Sequence, residues 1–95
     1  MSLGYRMIEK NYRCKRGEID LIALDGIYLV FIEVKYRADI NAGYGFEVID
    51  ARKQKKIRQT ALWYLTEKHI SQNRPCRFDV VSFTAEEIML LKDAF

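Results

Sequence analysis

The stretch "GEIDLIALDGIYLVFIEVKYR", residues 17–37, limits the possible folds more than any other part of the chain. Two apolar runs flank Asp25-Gly26. Asp-Gly between alternating apolar runs signals a tight hairpin, because a type I′ turn needs φ > 0 at both central residues. With that turn, residues 18–24 and 27–37 are antiparallel strands and Leu24 faces Ile27. One face then carries Glu18, Asp20, Ile22 and Leu24 with Ile27, Leu29, Phe31, Glu33 and Lys35. The other carries Ile19, Leu21 and Ala23 with Tyr28, Val30, Ile32, Val34 and Tyr36. Both faces are apolar near the turn, so the sheet needs cover on both sides.

The rest of the chain fits around this hairpin. Residues 5–14, "YRMIEKNYRC", read as a first strand, with Met7, Glu9 and Asn11 on one face and Ile8, Lys10 and Tyr12 on the other. "ADINAGYGFE" reads as a loop. "DARKQKKIRQTALWYLTEKH" reads as a helix with Asp50 as its N-cap and Ile57, Ala61, Tyr64 and Leu65 as its core stripe. "CRFDVVSF", 76–83, reads as a strand. "EEIMLLKDAF" is open between a short strand and a helix. Strand, strand, strand, helix, strand predicts an α/β fold: a mixed sheet with a helical crossover between the third and fourth strands.

Ninety-five residues suffice for one small domain, and a chain 49% hydrophobic and 31% charged is expected to fold. The net charge of +3 is compatible with a polyanionic partner without requiring one. Two cysteines, Cys14 and Cys76, make neither a zinc spacing nor a disulfide framework. Free thiols in a reducing cytoplasm are the expectation, rather than a single bridge. No apolar run is long enough to span a membrane, and no signal peptide is evident.

Away from the turn, one face of the hairpin changes character. Glu18, Asp20, Glu33 and Lys35 gather there, with Asp20 and Glu33 as diagonal cross-strand neighbours. A one-residue slip of either strand would separate them, so the grouping depends on the turn. Carboxylates this close repel unless a cation lies between them. Mg²⁺ or Mn²⁺ suits that place, since Mg²⁺ typically takes one or two carboxylates and leaves positions for water and phosphate. Lys35 could then orient or deprotonate a water, or offset charge on a phosphate. Charged residues are also common at strand ends, and Glu-x-Lys alone says little.

Asp20 with "Glu33-Val34-Lys35" resembles the PD-(D/E)xK nuclease motif. "KNYRCKRGEIDLIA", "LVFIEVKYR", a lysine-rich helix ending "ALWYL", "RFDVV" and a terminal "KDAF" together resemble the YraN-like family. Lys10 stands where that family usually has arginine. These endonuclease-like bacterial proteins are similar to archaeal Holliday-junction resolvases. The resemblance runs from Tyr5 to Phe95. It implies a restriction-endonuclease-like fold, with Asp20 and Glu33 as metal ligands and Lys35 as the catalytic lysine. Glu18 is carried over only as a further site member.

Family members usually begin with a helix, ahead of the position of Tyr5, that brings another glutamate to the site. No such helix is evident here. The expectation is therefore weaker metal binding, and an apolar sheet face left exposed or covered by a second copy in a homodimer.

Arg52, Lys53, Lys55, Lys56 and Arg58 crowd the helix start, where cations oppose the macrodipole. A phosphate backbone would reverse that cost, with Lys53, Lys56 and Arg37 as its contacts. A solvated lysine face explains the same residues. His69 reads as a helix-end residue, Asp79 as a structural carboxylate paired with Arg77 or Arg74, and Trp63 and Tyr64 as core or interface. Tyr44 and Phe46 lie where they could touch a substrate. Two functions compete: a metal-dependent DNA endonuclease acting on branched DNA, and a catalytically inactive module that binds nucleic acid or protein on the same scaffold.

Overall fold

The structure is a computed structural model that describes residues 4–36, 49–84 and 87–95. Its strands are β1 (Arg6–Cys14), β2 (Gly17–Asp25), β3 (Tyr28–Tyr36), β4 (Cys76–Phe83) and β5 (Ile88–Leu91), with one helix, α1 (Ala51–Glu67), before β4. The strands lie in the order β1-β2-β3-β4-β5. All neighbours are antiparallel except β3 and β4, which are parallel and joined through α1. This is the expected mixed sheet with a helical crossover. The tail left open by the sequence is the edge strand β5.

The hairpin turn corrects the sequence reading. Asp25 pairs with Tyr28, so the turn residues are Gly26 and Ile27. Gly26 has φ of 59° and Ile27 is not left-handed, the arrangement of a type II′ turn with glycine first. The cause lies far along the chain. Arg77 Nη2 donates to Asp25 Oδ2 at 2.8 Å, and the guanidinium lies 5.3 Å from the Tyr28 ring centroid. Both residues are thereby held as a strand-end pair. The pairing moves by two residues rather than one, and a shift of two does not by itself change which face a side chain takes.

Ile19 is a second correction. It packs with Tyr12 and Ile22 beneath α1, while Leu21 and Ala23 belong to the opposite face. The pleat breaks between Ile19 and Leu21. There β2 ceases to pair with β3, and Asn11 on the adjoining β1 adopts φ of 51°. A register shift between Met7 and Glu9 likewise disturbs the simple alternation expected of β1.

The α1 side holds one core: Tyr12, Ile19, Ile22, Leu29 and Phe31 against Ile57, Ala61, Tyr64 and Leu65. The helix stripe is as expected, and Asp50 is the N-cap, accepting from the Lys53 N–H at 2.8 Å. Gly17 sets the distance between helix and sheet. A Cβ there would lie 2.9 Å from Thr60 Oγ1.

The other face is not bare at its centre. Ala23, Val30, Ile32 and Val81 are at most 1% exposed, and Tyr5 packs with them. The expectation is an apolar face left exposed or covered by a second copy; the centre of this face is buried within the chain itself. Asp79 is buried there, bound by Arg77, the Tyr5 hydroxyl and the Asp93 N–H. Burial alone would raise the Asp79 carboxyl. These three donors outweigh it and hold the group below the usual carboxylate range. Asp79 is thus the structural carboxylate the sequence suggested, with Arg77 as its partner.

Candidate metal and nucleic-acid site

The site lies where β2 and β3 part. Their pairing ends at Leu21 and Ile32. Beyond that point the Asp20 side chain takes over: its Oδ2 accepts from the Val34 N–H at 2.8 Å. Asp20 is therefore anchored to the backbone of the residue between Glu33 and Lys35.

Glu33 is nearly buried, its side chain 12% exposed, and Oε1 lies 2.7 Å from Lys53 Nζ. Lys53 comes from the first turn of α1, positioned by the Asp50 cap. Its proton is held more tightly than in a free lysine. The hydrogen bond to Glu33 is the main cause and burial opposes it, while the charges of Glu33, Asp20 and Asp50 add to the attraction. Glu33 is thus the carboxylate that Lys53 engages directly. The sequence assigned Lys53 to a phosphate; the structure engages it with Glu33, while Lys56 is exposed on the helix surface.

Lys35 is half-buried on β3 and pairs in register with Ser82 of β4. The Ser82 hydroxyl is fully buried and makes no hydrogen bond among the described residues. Glu18 is not drawn into the group. It forms an ion pair with Arg13 across the first hairpin. Arg37, Tyr44 and Phe46 lie outside the described residues. Among the described residues no three His, Cys, Asp or Glu side chains gather as a metal cluster.

A groove of about 480 Å³ opens beside Asp20 and reaches Lys10, Asn11, Tyr36 and Phe83. Sequence reading missed this groove. The left-handed Asn11 has no reliable sequence signal. Tyr36 had one, since alternation sends it to the face opposite Lys35.

A family model described as "Uncharacterised protein family UPF0102" matches residues 1–83. The chain belongs to the UPF0102 family. It is 48% identical over 92 residues to a UPF0102 protein of Lachnoclostridium phytofermentans, covering 97% of this chain and 78% of that relative. A UPF0102 protein of Pseudomonas syringae pv. syringae is 46% identical over 83 residues, covering 87% and 68%. One from Nitrosococcus oceani is 46% identical over 96 residues, covering 97% and 77%. UPF0102 is the YraN-like, endonuclease-like group that the motifs resemble. No helix among the described residues is long and apolar enough to cross a membrane.

Proposed function

We propose that this UPF0102 protein is a metal-dependent endonuclease that hydrolyses DNA phosphodiester bonds, branched DNA among its substrates. The observation that carries the reading is the anchoring of Asp20 on the Val34 N–H, between Glu33 and Lys35, with Glu33 paired to the Lys53 ammonium. The Asp20 and Glu33 carboxylates are hard oxygen donors that fit Mg²⁺ or Mn²⁺, and the Lys53 ammonium stands in for positive charge at that place. Asp20 and Glu33 would hold the ion, with water and phosphate completing its coordination. The ion, when bound, supplies polarisation of a water and neutralisation of phosphate charge.

The protein's own residues do the rest. The Val34 N–H fixes the direction of Asp20. The β3 backbone fixes Glu33. Lys53 releases Glu33 and becomes available to a phosphate oxygen. Lys35 Nζ orients the attacking water or offsets charge on the phosphate. The two cysteines are free, which suits a reducing cytoplasm.

A second reading is a binding module without catalysis. The Glu33–Lys53 pair favours it, since the carboxylate is already neutralised without metal. Cleavage of branched, single-stranded and duplex DNA, with Mg²⁺, Mn²⁺ or chelator, separates the two. The nuclease requires metal and loses activity in Lys35→Ala and Glu33→Gln. Cleavage in chelator, or undiminished in Lys35→Ala, overturns it. Salt-sensitive DNA binding without Mn²⁺ binding supports the second reading.

A further inference from the structure

The groove beside Asp20 ends in an unusual surface. Tyr36 and Phe83 are register partners on the parallel strands β3 and β4. Their rings stack at 5.3 Å between centroids with 17° between planes. Cross-strand aromatic pairs stabilise a sheet through contact between the rings. Here Tyr36 is 81% exposed, more than any other large apolar residue named on this surface. Phe83 supports one side of the ring and leaves the rest to solvent. Exposed Lys10 and Asn11 line the same groove, as does Asp20.

We propose that Tyr36, backed by Phe83, is a stacking platform for an unpaired base of the nucleic-acid substrate, with Lys10 contacting the adjoining phosphate. The inference rests on the nuclease reading for its substrate class and extends it. An aromatic face of this kind binds any base, because every base presents a π-face. Tyr36 directly follows Lys35 on β3, and Asp20 lines the same groove, so a nucleotide stacked there lies beside that carboxylate. Alternation along β3 sends Lys35 and Tyr36 to opposite faces of the sheet. A strand serving both must cross the end of β3 with its bases splayed. A base within an intact duplex cannot do this; a base at a branch point, frayed end or single-stranded segment can. The Lys10 cation favours this occupant over an apolar peptide.

The test uses the full chain in chelator, so that it is independent of cleavage. Fluorescence anisotropy follows labelled single strands of about ten nucleotides, with bases and as an abasic strand, together with a duplex of equal length. Tyr36→Ala should weaken binding of the base-bearing strand about fivefold or more, as expected for loss of one stacked base. Tyr36→Trp should restore it. The wild type should bind the abasic strand no better than Tyr36→Ala binds the base-bearing one. Lys10→Ala should lower the salt slope by about one, on either single strand. Equal affinity of the wild type for the two single strands, or an unchanged Tyr36→Ala, overturns the proposal. So does a Tyr36→Ala variant that alters only sedimentation, which would make the ring a protein contact. A protein that stacks but never cleaves defeats the nuclease reading alone. One that cleaves but ignores Tyr36 defeats only the platform.

Discussion

The Lys53 ammonium lies 2.7 Å from the Glu33 carboxylate, and the Asp20 charge acts on it as well. A divalent ion at Glu33 must displace this lysine. The pair is half open to water on the lysine side, so its net worth is that of a partly solvated ion pair, up to about 1 kcal/mol. Lys53→Met should therefore tighten Mn²⁺ binding about two- to fivefold, read by calorimetry at low salt. Unchanged or weaker Mn²⁺ binding would show that metal and lysine do not share the carboxylate. DNA affinity should fall in the same variant if the released lysine turns to a phosphate.

Asp20 has two tasks that one substitution can separate. Its Oδ2 accepts the Val34 N–H where the ladder has ended, and its charge serves the cation site. Asp20→Asn keeps an acceptor oxygen and removes the charge. It should melt within a few degrees of the wild type while losing metal-dependent cleavage. Asp20→Ala leaves the N–H without its partner and should cost about 1–3 kcal/mol, seen in denaturant melts. Equal stability of Asp20→Ala and wild type would remove the anchoring role.

Much of this was legible from the sequence, and the failures have local causes. The strands, the crossover helix, its Asp50 cap and its Ile57–Ala61–Tyr64–Leu65 stripe follow from periodicity, because each element buries one face. The turn was misplaced because Asp25-Gly26 and Gly26-Ile27 both satisfy a two-residue hairpin. The choice is made by Arg77, 52 residues away. The Glu33–Lys53 pair was not legible because composition shows a basic helix start but not which lysine meets the sheet. Ile19 was misplaced because strict alternation assumes an unbroken pleat, and the break lies at Asp20, inside the candidate site. Such local departures are expected where a site is built.

Gly17 fixes how closely α1 approaches β2, and hence where Lys53 stands relative to Glu33. Its φ is 152°, and a Cβ would lie 2.9 Å from Thr60 Oγ1, on a threonine that is fully buried. Gly17→Ala should cost about 1–3 kcal/mol by overpacking. For a domain of this size that is a fall in Tm of about 4–8 °C per kcal/mol. Adding Thr60→Ala removes the clashing atom and should return part of the loss, with the remainder due to backbone strain. A Gly17→Ala protein that melts like the wild type would show that the helix is not seated on this glycine.

The pH range of stability follows from buried groups outside the candidate site. The Asp79 carboxyl is held below its ordinary value, so its contribution is present above the unfolded pKa, about 4, and fades as pH falls through the folded value. Tyr5 is shifted upward, by burial first and then by its bond to Asp79. Burial, with Glu67, pushes Tyr12 up to about 12. Both phenols act in the other direction: their contribution is complete below the unfolded pKa of about 10 and is lost as pH rises through the folded values. Denaturation midpoints should therefore be flat between about pH 5 and 9 and fall on either side. Asp79→Ala should cost about 3–5 kcal/mol near neutrality, because Arg77, whose side chain is 11% exposed, loses a main partner. It should also shallow the acid limb while leaving the Tyr12 part of the alkaline limb. An acid limb of unchanged depth in that variant would place its origin in other carboxylates.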